Sequence, residues 1–246
     1  MGDAEPYWLT AFLDLPAAGF EPAVEFWSRL TGYAVSAWRG DHDEFATLLP
    51  PNADAHLKVQ RLSHGGPRVH LDVHVSDPGR AARVAQEHGA QPHGNDARDL
   101  GYVTLRSPGG LTFCFVSHRS SQPAEPGNWP GGRSMVDQVC IDIRAADYDR
   151  ECDFWSVMLG QPWRPSPTHP EFRRIPRPGQ PLQVLLQRLE ESTTTRAHLD
   201  LCADDRRAEV LRHEECGAQV EAEFDHWTVL RDPLDQPYCI TDRSPT

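Results

Sequence analysis

The feature that most constrains this chain is that it repeats itself. Phe26-Trp27-Ser28 recurs 128 residues later as Phe154-Trp155-Ser156, Gly32 recurs as Gly160, His70-Leu71-Asp72 as His198-Leu199-Asp200, and Gly89-Ala90-Gln91 as Gly217-Ala218-Gln219. After a three-residue contraction the spacing becomes 125, and Leu105-Arg106, Pro108 and Cys114 meet Leu230-Arg231, Pro233 and Cys239. A match this extended makes the halves copies of one unit, so each later reading applies twice. Between them Ser117 to Arg133 is rich in Pro, Gly and Ser, a composition suited to a surface connection. The expected division is a first domain over residues 1–118, a linker over 119–134 and a second domain over 135–246.

Within each half the order of elements repeats again. Leu9 to Leu15 reads as a strand, and Ala23, Phe26, Trp27 and Leu30 then fall at i, i+3, i+4 and i+7, the spacing of a helix with one apolar face. Ala34 to Arg39, Phe45 to Leu49 and Leu57 to Leu62 follow as short apolar stretches separated by Gly, Asp, Pro and Asn, which predicts three strands joined by turns. Val69 to Val75 starts the βαβββ order anew, with a helix over Ala81 to His88 and strands near Tyr102 to Arg106 and Leu111 to Val116. The fold class is therefore α+β, with four such modules, two per half. The third strand of the second and fourth modules is left open.

A formal charge of −12 argues against nucleic-acid and membrane-surface partners. No apolar run approaches the roughly 20 residues that span a bilayer. The acidic start, Met1 to Tyr7, is unlike a signal peptide. Six scattered cysteines without a CxxC pair read as reduced thiols. Together these predict a cytoplasmic protein. The duplication fits either a monomer whose domains pair as subunits would or a homodimer.

Paired βαβββ modules, a Phe-Trp on the first helix, and the closing RDPLDQPYCITDR resemble the glyoxalase/bleomycin-resistance, or vicinal oxygen chelate, superfamily over nearly the whole chain. LLQRLEESTTTRAHLDL and the Cys-ended last strand resemble its actinobacterial glyoxalase-like domains. The resemblance implies two tandem domains, each curling a sheet around a cleft, with metal ligands drawn from the first and last strands of both modules. Carried over, those positions are Thr10, Gln60, His70 and Cys114 in the first half and Gln138, Gln187, His198 and Cys239 in the second.

Divalent metals are held by imidazoles, carboxylates or thiolates, and neutral amides are feeble donors. One His with Gln and Cys partners predicts no intrinsic metal and no cofactor. Strand alternation places His70, Asp72 and His74 on one face opposite Leu71, Val73 and Val75, and His198, Asp200 and Cys202 opposite Ala197, Leu199 and Leu201. A polar triplet kept in both copies can line a cleft or make structural hydrogen bonds. His-x-Asp is also half of the iron facial triad, but that chemistry sits on jelly rolls, which modules of this kind do not form. Cys114 and Cys239 are expected as buried small apolar groups. Phe26-Trp27 and Phe154-Trp155 are expected as core. Trp8, Trp38, Trp163 and Trp227 are candidates for cleft walls or for packing between the domains. Ser107-Pro108-Gly109-Gly110 and Asp232-Pro233-Leu234-Asp235 read as hairpin turns.

The functional expectation is a small-molecule-binding protein whose ligand meets Thr10, Gln60, His70, Asp72, Cys114, Gln138, Gln187, His198, Asp200 and Cys239. The alternative is a metal-dependent lyase, isomerase or dioxygenase, or a metal-free acid–base enzyme using His70 or His198. That alternative gains if His56, His74, Glu171 or Glu223 completes a ligand set.

Overall fold

The computed structural model describes residues 6–94, 101–191 and 194–245. Met1 to Glu5 of the acidic start, and Ser192-Thr193 of the LLQRLEESTTTRAHLDL segment, lie outside the described residues. The first half runs β1 (Trp8–Pro16), α1 (Phe20–Thr31), β2 (Ala34–Val35), β3 (Phe45–Leu49), β4 (Leu57–Leu62), β5 (Arg68–His74), α2 (Pro78–Glu87), β6 (Gln91–Pro92), β7 (Tyr102–Arg106) and β8 (Thr112–Val116). After β9 (Gly127–Trp129) the second half runs β10 (Gly132–Arg144), α3 (Tyr148–Met158), β11 (Arg164–Pro165), β12 (Phe172–Ile175), β13 (Gln183–Leu189), β14 (Arg196–Ala203), α4 (Arg206–Glu215), β15 (Gln219–Glu223), β16 (Trp227–Arg231) and β17 (Pro237–Thr241).

Each half forms one mixed sheet. The first has strand order β2-β3-β4-β1-β5-β8-β7-β6, and the second repeats it as β11-β12-β13-β10-β14-β17-β16-β15, with β9 paired to β10. The α+β expectation of four βαβββ modules is met, and β6 and β15 supply the third strands that the pattern left open. Two differences stand out. The stretch expected as one strand from Ala34 to Arg39 is a strand only at Ala34–Val35, with Arg39 rejoining through an isolated bridge to Phe45. The cause is Ser36, whose hydroxyl accepts from the Thr47 backbone N–H at 2.9 Å and so takes over a ladder position. Within the proline-rich connection, Gly127–Trp129 pairs antiparallel with Gly132–Ser134 and forms a short hairpin.

By contact the chain divides into two compact units, one comprising Met1–Ala11, His70–Ser121 and Val139–Ala197 and the other Phe12–Val69, Gln122–Gln138 and His198–Thr246. In the first, α2 covers β7 and β8. The β8 ring of Phe113 meets Phe154 and Trp155 of α3 edge-on at 5.7 and 5.2 Å. Glu151, on the buried face of α3, accepts from Trp155 Nε1 at 2.9 Å and from the Gly109 backbone N–H. In the second, Phe26 and Trp27 of α1 lie 6.1 and 5.3 Å from Tyr238 of β17, and Trp27 Nε1 donates to Asp232 Oδ2 at 3.1 Å. The two Phe-Trp pairs are thus core, as their helical spacing predicts.

The helices start by different means. Asp77 and Asp205 cap α2 and α4, accepting from the N–H groups of Arg80 and Ala208 at 2.8 and 3.0 Å. α1 begins at Gly19, whose φ of 81° favours glycine and whose missing Cβ would stand 2.7 Å from the Leu234 side chain. Among the described residues no helix is long and apolar enough to cross a membrane.

Candidate functional site

Strand alternation and register assemble the site. In β5 the side chains of His70, Asp72 and His74 leave one face, and the parallel pairing with β8 sets Asp72 opposite Cys114. β7 then sets Thr104 opposite Cys114, and the two approach at 3.3 Å. The reverse face carries Leu71, Val73, Phe113 and Phe115, all buried. In the second half β14 and β17 repeat this, with Asp200 opposite Cys239 and Val229 in place of Thr104.

In the first half His70, Asp72 and Cys114 retain only 7, 4 and 9% of their exposure. His70 Nε2 lies 3.8 Å from Asp72 Oδ1. One donor atom from each of the three residues lies within 4.8 Å of the other two. Thr10 is not part of this group. Its hydroxyl lies 2.9 Å from His74 Nε2, while His74 Nδ1 reaches the His118 carbonyl at 2.6 Å. Because a carbonyl only accepts, Nδ1 carries the hydrogen, and in the neutral ring Nε2 accepts the Thr10 proton. Gln60 sits half-buried in β4, opposite Phe45.

The second half is wired differently. Gln138 Nε2 donates to Asp200 Oδ2 at 2.5 Å, and Arg243 Nη1 donates to Gln138 Oε1 at 2.5 Å. Arg243 also donates through Nη2 to Asp137 Oδ1 at 2.7 Å and through Nε to Thr241 Oγ1 at 3.0 Å. At the other end Asp200 Oδ1 lies 3.3 Å from His198 Nε2, which in turn lies 3.6 Å from Cys239 Sγ. Burial lifts the Asp137 carboxyl to about 6, with the Arg243 guanidinium pulling down and Asp200 pushing up. Cys202, at the place of His74, donates to the Met135 carbonyl at 3.7 Å, and burial pushes its thiol up to about 12. Gln187 accepts from Cys140 Sγ at 3.6 Å.

The structure brings each histidine–aspartate pair beside the cysteine that the resemblance placed with it, and the sequence reading did not name Asp137, Thr104 or Arg243. One signal was available. Extending the 125-residue spacing four positions past Cys114 and Cys239 sets Arg243 against His118, a cation against a titratable ring.

None of His56, His74, Glu171 and Glu223 belongs to a group of three or more clustered metal-type donors among the described residues. His56 is fully buried, edge-on to Tyr33 at 5.8 Å, and burial holds its ring at about 4, hence neutral. Glu171 pairs with His169 at 3.5 Å, and Glu223 is exposed at the end of β15. Of the tryptophans, Trp8 is wholly buried, Trp38 packs on Phe20 at 5.4 Å, Trp163 donates to Asp153 at 2.9 Å beneath Arg173, and Trp227 stacks on Phe224 at 4.7 Å.

The model of the glyoxalase-like domain matches twice, over residues 10–116 and 138–241. The chain belongs to the glyoxalase-like domain family. No curated protein matches its sequence. Similar solved structures include a mutant of 4-hydroxymandelate synthase from Streptomyces coelicolor, at TM-score 0.63 and 13% identity over 100% of this chain and 94% of that one. A variant of homoprotocatechuate 2,3-dioxygenase from B. fuscum gives 0.63 and 11%, over 99 and 73%. BphC, a halotolerant catechol dioxygenase, gives 0.60 and 13%, over 97 and 87%. At such identities the likeness speaks to fold, and it bears out the vicinal-oxygen-chelate architecture of this glyoxalase-like chain.

That architecture implies a divalent metal on the carried positions, and two of them are turned to protein partners. Thr10 is engaged with His74, and both ends of the Gln138 amide are engaged by Asp200 and Arg243. A guanidinium hydrogen-bonded one residue from the site also opposes a further cation.

Proposed function

We propose that this glyoxalase-like protein binds a small organic molecule at the polar faces of β5 and β14 without the four-ligand metal centre of the superfamily's metalloenzymes. The observation that carries this reading is the internal engagement of Thr10 and Gln138, which removes a ligand from each half while leaving the His-x-Asp faces in place. The neighbours named for 4-hydroxymandelate, homoprotocatechuate and catechol suggest phenolic acids and catechols as first compounds. His70 and His198 would then orient or polarise a ligand hydroxyl, each with a carboxylate beside its ring.

The test is calorimetric titration of chelator-treated protein with such compounds, repeated on His70→Ala and His198→Ala. Saturable binding weakened by either substitution supports the reading. Binding that appears only after Fe(II) or Mn(II) is restored, together with turnover, would sink it. That outcome would promote the metal-dependent lyase, isomerase or dioxygenase, which the approach of His70, Asp72 and Cys114 favours.

A further inference from the structure

The connection between β12 and β13 is a copy of the one between β3 and β4. Leu48 pairs with Leu57 in the first half and Ile175 with Val184 in the second, so residues 49–56 and 176–183 correspond position by position. Both connections place a proline before a residue of positive φ, Pro51 before Asn52 at 55° and Pro178 before Gly179 at 74°. At the residue ahead of that proline the copies part. It is Pro50 in the first half, buried and uncharged, and Arg177 in the second, with only 4% of its surface exposed. The scaffold closes this turn without a cation in one copy, so the guanidinium of the other is not demanded by the fold.

Arg177 is held by its backbone and not by its head. Gln183 clasps it, Oε1 accepting from the Arg177 N–H at 2.8 Å and Nε2 donating to the Arg177 carbonyl at 2.9 Å, while the Gln180 N–H closes the turn on that carbonyl at 3.1 Å. The guanidinium itself has no hydrogen bond or ion pair among the described residues, and its Nε is sealed from solvent. A second sealed polar atom of the same turn, Gln180 Oε1, is likewise without a partner. Burial alone pulls Arg177 down to about 10, with no carboxylate raising it, and it stays charged at neutral pH. A buried charge that nothing compensates is strongly unfavourable, and here the other copy shows that a proline serves the turn as well. We infer that Arg177 is the recognition group of a small-oxyanion site in the β12–β13 turn, which takes the carboxylate or phosphate group of a small molecule. The planar fork of donors matches two oxygens of such a group, and the Gln183 clasp fixes the backbone from which the fork projects.

The inference goes beyond the small-molecule reading of the His-x-Asp faces and does not rest on it. Gln187, the expected ligand position on β13, stands four residues from Gln183, about 13 Å at the rise of a strand. The experiment follows the urea midpoint of the full chain as inorganic phosphate or acetate replaces chloride at constant ionic strength, which holds screening fixed. An anion bound only by the folded chain raises the midpoint to a plateau. The natural protein is expected to show that climb with at least one of the two anions, and the one that produces it tells a phosphate site from a carboxylate site. Arg177→Met should lose the climb, and in chloride alone its midpoint should equal or exceed the natural one, because the substitution removes a charge with no protein partner. Arg177→Lys keeps the charge but not the fork, and should need about tenfold more anion for half the climb. His70→Ala and His198→Ala should climb as the natural protein does, so this site and the small-molecule reading can fail separately. A natural midpoint indifferent to both anions, an equal climb in Arg177→Met, or an Arg177→Met chain already weakened in chloride overturns the site. An unchanged half-climb in Arg177→Lys overturns recognition by the fork.

Discussion

Thr10 and Gln138 hold the same place in two copies of one fold, and what each holds sets what its loss would cost. Thr10 makes one neutral hydrogen bond to His74 in a fully buried setting. Thr10→Val keeps the shape and leaves the His74 ring nitrogen short of a donor, which costs about 1–3 kcal/mol. Gln138 joins a buried carboxylate to a guanidinium. Gln138→Leu takes one partner from buried Asp200 and one from Arg243, which keeps Asp137 and Thr241, and a buried charged group left short of a hydrogen bond costs about 3 kcal/mol or more. Urea denaturation at pH 7 should therefore rank Gln138→Leu as the more damaging of the two. The reverse order would mean that the Asp137–Arg243–Gln138–Asp200 chain is loosely held. His70 and His198 were legible as paired positions because alternation in a strand needs only the sequence. The chain through Arg243 was not legible, because it joins residues 105 positions apart across a register that no local pattern encodes.

At the scale of elements, the parts read well from sequence are those whose period is written in side chains: the apolar stripe of α1, and the alternation in β5 and its copy β14. The parts read poorly are those decided by a single competing group. Ser36 shortens β2 by offering its hydroxyl to the Thr47 N–H, and the two-residue strand β6 is too short to carry a period at all. Helix starts lie between these cases. Asp77 and Asp205 cap α2 and α4 from the same place in the repeat, and Asp77 is followed by Pro78 in the first turn. Asp77→Ala and Asp205→Ala should each lower stability by about 1 kcal/mol, and the effects should add. Thermal melts of the two single variants and the double variant check this. Clear non-additivity would show that the caps communicate through the packing beneath them.

At the scale of the whole molecule, two buried groups pull stability in opposite directions as the solution is acidified. His56 is held neutral by burial, its pKa near 4 against 6.5 in an exposed ring. As pH falls from 6.5 toward 4 the unfolded chain takes up this proton before the folded one, so the folded state loses up to about 3 kcal/mol. Asp137 behaves in the opposite sense, because burial raises its pKa to about 6 from 3.8. As pH falls from 6 toward 3.8 the folded chain takes up that proton first and gains up to about 3 kcal/mol. The two contributions largely offset each other between pH 7 and 4.5, and each is hidden by the other in the natural protein. Replacing one exposes the other. Asp137→Asn should steepen the acid loss of stability by about 2 kcal/mol over that range, and His56→Leu should flatten it by a similar amount, whatever either substitution costs at pH 7. Urea midpoints at closely spaced pH values give the slopes directly. Slopes unchanged from the natural protein in both variants would mean that neither group is held out of its ordinary ionisation range by the fold.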